Sequence, residues 1–236
     1  MIPKAFNRTR SLINSFEKKG VRSTQGTLRV EVLLGSSANY TFNINDNQTK
    51  LATEIRLRSG DAFVPTKVGM FIRKATPASS TLTDAEQAIS ILHTYPNTAV
   101  FTGSGEAANL ESMYSSRLQI TVNSVNLTET IDTLNFRRVD MAQQGLAASS
   151  NATVNLYQRS AWQGGDYGFI NYEQDICFNG QANNFANLTL STSVNNIGTS
   201  SSNYAVLYFR GVLLLNGAGV AQDKSIKTFL NKGKNF

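Results

Sequence analysis

His93 and Cys177 are the only histidine and the only cysteine in the chain, which narrows the routes to metal or nucleophilic chemistry at once. A zinc site draws on several His, Cys or carboxylate ligands, so neither a His-pair nor a Cys-pair site can be built and no structural metal is expected. A Cys177–His93 dyad would need the fold to bring the two together, and neither residue sits in a recognisable nucleophile motif. A lone cysteine ordinarily acts as a small buried hydrophobe. Gly103-Ser104-Gly105-Glu106-Ala107-Ala108 follows the apolar Ala99-Val100-Phe101 and has the form of a dinucleotide-binding turn, whose glycines let backbone N–H groups approach a pyrophosphate. Glu106, however, would set a negative charge against those phosphates. Asn123 stands where an acidic ribose ligand would be sought, and βαβ alternation is absent elsewhere. The segment therefore reads as a loop between strands.

The carboxylates fall singly or on turns: Asp84 and Glu86, Glu129 and Asp132, Asp140, Asp166, Glu173 and Asp175. A glycosidase needs two of them facing each other about 5 to 10 Å apart across a cleft; solvated loop acids are the simpler reading. Trp162-Gln163-Gly164-Gly165-Asp166-Tyr167 is the most lectin-like stretch. Trp162 and Tyr167 could stack on a sugar while Asp166 bonds its hydroxyls, or Trp162 could fill a core gap or a subunit seam. No catalytic residue, cofactor or small-molecule substrate is expected.

Cationic side chains give the clearest pattern. Residues 1–30 carry Lys4, Arg8, Arg10, Lys18, Lys19, Arg22 and Arg29 against Glu17, a net of +6; residues 221–236 carry Lys224, Lys227, Lys232 and Lys234 against Asp223, a net of +3. The whole chain has a net charge of +6, so residues 31–220 stand at −3. Two basic arms thus flank a mildly acidic body. Ile2, Phe6, Ile13 and Phe16 form a helix-like stripe in the first arm, and Ile226, Phe229 and Leu230 do so in the second. Such arms suit nucleic-acid phosphate, bound without sequence specificity, an anionic membrane, or acidic surfaces on neighbouring subunits; a solvated basic tail is the plainer alternative.

Between the arms the sequence is written in short runs of β-branched and aromatic residues separated by Gly, Asn, Ser and Pro clusters. Strands are expected over 27–34, 40–44, 53–58, 62–74, 89–95, 99–102, 118–122, 134–139, 152–158, 167–172, 188–192 and 204–215. Short helices are expected at 83–88, where Thr83 and Glu86 form a capping box, and at 105–114. The fold class is all-β, a jelly-roll type sandwich or barrel with short basic amphipathic terminal helices. A single barrel with insertions is favoured over a double one. The domain division is an arm at 1–26, a body at 27–220 and an arm at 221–236.

With 41% hydrophobic and 16% charged residues, the composition is that of a folded protein whose surfaces can pack against others at little desolvation cost. The start lacks the apolar core of a secretory signal, and no run reaches the roughly 18 apolar residues of a membrane span; a cytosol-like compartment is the expectation.

Leu57-Arg58-Ser59-Gly60-Asp61-Ala62-Phe63-Val64, Thr94-Tyr95-Pro96-Asn97-Thr98-Ala99-Val100-Phe101 and the closing run Tyr204-Ala205-Val206-Leu207-Tyr208-Phe209-Arg210-Gly211-Val212 give 27–220 a layout that resembles the jelly-roll capsid proteins of tailless icosahedral bacteriophages. The resemblance implies a self-assembling virion subunit, formed in a host cytoplasm. Its basic arms would face the particle interior, and its partners would be copies of itself, other virion proteins, and genome phosphate or an internal membrane. A carbohydrate- or receptor-binding sandwich is the alternative, resting on Trp162, Asp166 and Tyr167.

Overall fold

The structure, a computed structural model, describes residues 4–75, 92–96, 101, 104–122, 125–126, 130–138, 168–172, 176–191, 202–223 and 226. In chain order they form helix α1 (Lys4–Glu17), strands β1 (Arg22–Leu33), β2 (Asn39–Asn43), β3 (Ala62–Ala75) and β4 (Leu92–His93), and helix α2 (Glu106–Glu111), which runs into a 3-10 turn (Ser112–Tyr114). There follow β5 (Arg117–Val122), β6 (Val125–Asn126), β7 (Ile131–Asp132), a second 3-10 turn (Thr133–Phe136), β8 (Phe169–Asn171), β9 (Phe178–Asn179), β10 (Phe185–Thr189), β11 (Ser202–Leu215) and helix α3 (Ala218–Ala221). The described residues are mostly strand, arranged in two antiparallel sheets with few helices.

The first sheet runs β1-β11-β3, with β4, β8 and β9 sharing the far edge of β3; the second runs β2-β10-β5, with β6 and β7 on the far edge of β5. The pairs are nested. β1 with β11 encloses β2 with β10, which encloses β3 with β8 and β9, which encloses β5 with β6 and β7. Successive pairs alternate between the sheets, so the chain is laid out as one long hairpin wound over itself.

Period-two alternation fills the space between the sheets. Leu28, Phe209 and Val68 form one rung of the first sheet's inner face, Val30, Leu207 and Met70 the next, and Val32, Ala205 and Ile72 the third. Opposite them stand Tyr40, Leu188 and Leu118, then Phe42, Ala186 and Ile120. All these residues join one apolar cluster. The outer face of the second sheet is polar: Asn39 and Thr41 are exposed, Asn187 and Gln119 half-buried, and Asn187 Oδ1 accepts from the Thr41 hydroxyl at 2.9 Å.

Pro65 tests this grammar, because β3 is paired on both sides and proline has no N–H for a ladder. A bulge resolves the conflict: Gly211 pairs with Pro65 and Arg210 with Lys67, leaving Thr66 as the extra residue. The Thr66 hydroxyl donates to the Arg210 carbonyl at 3.2 Å, and its own carbonyl accepts from the Tyr172 N–H at 2.8 Å. The extra residue also reverses the facing of β3. Phe63 points inward before it, and Val68, Met70 and Ile72 point inward after it, so Ala62 and Val64 at one end and Phe71 at the other lie on the outer face.

Both ends of that outer face are covered. At one end α1 places Leu12 and Phe16, each 0% exposed, against Ala62, Val64 and Leu214. At the other, residues 46–57 fold over Phe71, Tyr204 and Val206, held by the Arg29–Ile55 and Asn45–Leu57 bridges and a buried ion network. In this network Glu31 pairs with Arg73 and Arg29, each at 2.7 Å, and its N–H donates to Glu54, which in turn pairs with Arg56 at 3.0 Å.

The structure departs from the sequence reading in several places. β1 begins at Arg22, five residues before the expected start at 27. Segment 53–58 makes isolated bridges instead of a strand. Expected strand 134–139 opens as a 3-10 turn, because the Asp132 carboxylate accepts the Leu134 N–H at 2.9 Å and caps a turn at that point. The expected strands at 152–158 and, apart from Phe101, at 99–102 lie outside the described residues, as does the capping box at 83–88.

Candidate assembly surface

The first basic arm ends in a helix stop that its own sequence dictates. Gly20 adopts φ +82°, open to glycine without strain. The Val21 N–H reaches back to the Phe16 carbonyl at 3.2 Å and the Gly20 N–H to that of Glu17 at 2.9 Å, the paired bonds of a Schellman motif. Val21 and Phe16 meet in the same apolar cluster, which supplies the motif's hydrophobic contact. Lys18 and Lys19 sit where the helix dipole favours cations. The stop fixes the exit from α1, and Arg10, Lys18, Lys19 and Arg22 are all exposed.

The start of the second arm packs into the same place. Ala221 and Ile226 belong to the cluster of Leu12, Phe16 and Val21, and Lys19 Nζ lies 2.5 Å from Asp223 Oδ2. Both groups of that pair are more than a third exposed, so it marks proximity more than it stabilises; the apolar contacts do the anchoring. The two cationic arms are therefore rooted side by side on the outer face of the first sheet. Lys4 and Arg8 belong to α1, while Lys224, Lys227, Lys232 and Lys234 lie outside the described residues, as do Trp162, Asp166 and Tyr167.

Over residues 9–21 the first arm packs on the body, because Leu12 and Phe16 bury their apolar surface in the chain's own sheet. The sequence stripe includes Ile13, which is only half-buried; Leu12 and Phe16, at i and i+4, are the anchors. Truncation of Phe16 to Ala is expected to cost about 3 to 5 kcal/mol and to raise amide exchange in α1 and the first turn of β1. Hydrogen exchange measured by mass spectrometry checks this; unchanged protection in α1 would contradict it.

The other candidate chemistries resolve into structural roles. His93 faces Ile72 on β3, whereas Cys177 precedes Phe178, which faces Phe63; nine residues of strand set these positions roughly 30 Å apart. They form no dyad. Burial pushes the Cys177 thiol up to about 12, so it stays protonated and inert. Glu106 heads α2 after Gly105 at φ +70°, but its carboxylate is buried, 3.0 Å from Lys74 Nζ and accepting from Asn203 Nδ2 at 2.8 Å. A buried, committed carboxylate repels a pyrophosphate. Arg29, counted with the first arm, belongs to the body's ion network. Among the described residues no group of three or more His, Cys, Asp or Glu side chains could hold a metal ion.

His93 carries a pH dependence. Its ring packs edge-on against Phe101 at 5.4 Å, and desolvation, reinforced by Lys74, lowers its pKa from 6.5 to about 4. The unfolded chain takes up this proton below pH 6.5 and the folded chain only near pH 4. The associated stability is complete above pH 6.5 and is lost progressively as pH falls from 6.5 to 4, by about 3 kcal/mol. Urea midpoints across that window should fall less steeply for His93→Gln than for the parent; parallel profiles would show that another group is responsible.

No protein-family model matches the chain, and no curated protein or solved structure matches it.

Proposed function

We propose that the chain is a structural virion protein, a self-assembling capsid subunit that forms in a host cytoplasm and uses its basic arms for contacts inside the particle. The observation that carries this reading is that the roots of the two arms, Leu12 and Phe16 of the first and Ala221 and Ile226 of the second, meet on one face of a body whose net charge is −3. A subunit whose two basic arms leave the body from one face is suited to lie in a shell with that face toward an anionic interior.

The strand order supports a single jelly roll: nested pairs alternating between two facing sheets are what that architecture requires. One apolar cluster shared by both sheets favours one barrel over two. Fold alone does not select a function, since jelly rolls also serve as lectins and cupins; the arms make the choice. With Leu12 and Phe16 turned into the domain, the exposed residues of α1 and its stop include Arg10, Ser11, Asn14, Glu17, Lys18 and Lys19. That surface favours phosphate or carboxylate groups over insertion into lipid.

Sedimentation velocity of the full chain, with and without Arg10, Lys18 and Arg22 together changed to Gln, tests the proposal. Large assemblies are expected from the parent. The triple variant should keep the parent's melting temperature, since all three side chains are exposed. It should nevertheless assemble poorly around a single-stranded oligonucleotide, with a salt dependence shallower by about one unit of slope for each phosphate that is no longer neutralised. Assembly indifferent to both salt and substitution would sink the role given to the arms.

A further inference from the structure

Among the described residues, one edge of the first sheet is open where sheet edges are ordinarily guarded. In β1 the odd-numbered residues turn their N–H and C=O groups away from β11, as Arg29 shows by exchanging bonds of 2.8 and 2.9 Å with Ile55. The edge is also closed at Glu31, whose N–H donates to Glu54 at 2.9 Å. Between Arg22 and Arg29, however, the backbone groups of Ser23, Gln25 and Thr27 meet no backbone partner among the described residues. The corresponding edge of β2 is shorter: Asn39 is closed by the Ser37 hydroxyl and Asn45 by Leu57, leaving only Thr41 and Asn43.

Natural edges are protected by lysine, proline, bulges or a covering segment, because exposed ladders recruit other strands. Ser23-Thr24-Gln25-Gly26-Thr27 has no charge and no proline. Exposed large hydrophobics stand at both ends of β1 and beside its edge. Of the four exposed large hydrophobics among the described residues, Leu33 is on β1, Ile55 is bridged to its edge, and Leu215 lies opposite Arg22.

We infer that this edge pairs antiparallel with the same edge of a second copy of the chain, about a two-fold axis at Gln25, so that the first sheets of two subunits become one. The segment is self-complementary in that register. Ser23, whose hydroxyl donates to the Glu17 carboxylate, falls opposite Thr27 of the second copy and Gln25 opposite its equivalent, so amide meets amide on the axis, with every edge-facing N–H and C=O of the three residues matched. Its length is set at one end by Ile55 and at the other by the turn at Gly20, which leaves five residues for an isologous contact. A second copy is the occupant that repeats these limits in reverse. The contact deepens the assembly proposal by naming one interface between copies, and rests on that proposal for its place in a shell.

Light scattering of the full chain over a concentration series, with Gln25→Lys, Gln25→Glu, an equimolar mixture of the two, and Gln25→Pro, tests it. Either charge, placed opposite itself on the axis, should weaken self-association about 5-fold, and the mixture should restore it by pairing Lys with Glu. Gln25→Pro removes the central N–H from both copies, with an expected loss on the order of 10-fold. If that variant fails to fold, the charge pair still decides. Single charges without effect would overturn the inference and leave a shell-forming parent untouched. Weakening that the mixture does not relieve would also overturn it, since the edge would then bind something other than itself. A parent that stops at a dimer, yet shows the charge rescue, would uphold the contact and remove the shell.

Discussion

Gly211→Ala is expected to unfold the protein or to lower its stability by more than about 4 kcal/mol. A Cβ at this position would lie 2.1 Å from the Val64 carbonyl oxygen and 2.9 Å from the Pro65 Cα, both backbone atoms of a strand paired on either side. Nothing there can rotate away. The close approach exists because the bulge at Thr66 brings β3 and β11 together at Pro65, so relief would mean breaking the longest ladder of the first sheet. Gly219→Ala is the matched control: nothing lies within 4 Å of its added Cβ, and within α3 the change should be neutral or gain up to about 1 kcal/mol. Urea denaturation of the two variants checks the pair, and equal midpoints would contradict the register of the bulge.

Glu31→Gln should be nearly as damaging, with a loss of about 3 to 5 kcal/mol. The Arg73 side chain is 0% exposed, stacks 4.1 Å over the Tyr204 ring and takes its carboxylate from Glu31 at 2.7 Å; Arg29 leans on the same carboxylate. Without it, the buried Arg73 guanidinium and the half-buried Arg29 guanidinium face each other with their shared carboxylate gone. Truncating both partners, as Glu31→Leu with Arg73→Met, should recover part of the loss, because it removes the fully buried Arg73 charge and leaves only Arg29, whose side chain is 18% exposed, without its carboxylate. Chemical denaturation of Glu31→Leu, Arg73→Met and the double variant closes the cycle. Additive losses would show that the ion pair is not the coupling.

The long strands are legible in the sequence because nothing competes with their pattern. Residues 62–74 and 204–215 are apolar over most of their length and rich in β-branched and aromatic side chains, and the structure extends them only to Ala62–Ala75 and Ser202–Leu215. What period-two alternation cannot carry is the change of phase inside β3, where one extra residue at Thr66 reverses the inward side. Pro65 is the visible clue. β6, β7 and β9 span two residues each, too short for any periodicity, and they exist because longer strands offer them an edge. The turn at Thr133–Phe136 reads as strand because Leu134 and Phe136 alternate, while the deciding bond comes from the Asp132 side chain.

The cationic arms are equally plain as blocks of charge, but their convergence is not. It depends on Ala221 and Ile226 reaching Leu12 and Phe16 from the opposite end of the chain, a contact that no local pattern encodes. The stop at Lys19-Gly20-Val21 is readable in principle, since a glycine after two lysines and before a valine has the chemistry of a helix C-terminus. Charge alone hides it, because Arg22 carries the basic block past the glycine and into β1. Arg29 shows the converse limit: charge counting assigns it to the arm, and cross-strand register assigns it to Glu31.

Negative-stain electron microscopy of the purified full chain, incubated with a short single-stranded oligonucleotide at low and then at high salt, tests the central claim most directly. Closed or sheet-like particles of many subunits at low salt, loosening as salt rises, are the predicted result. A uniform field of single molecules under every condition, at concentrations where shell proteins assemble, would contradict it.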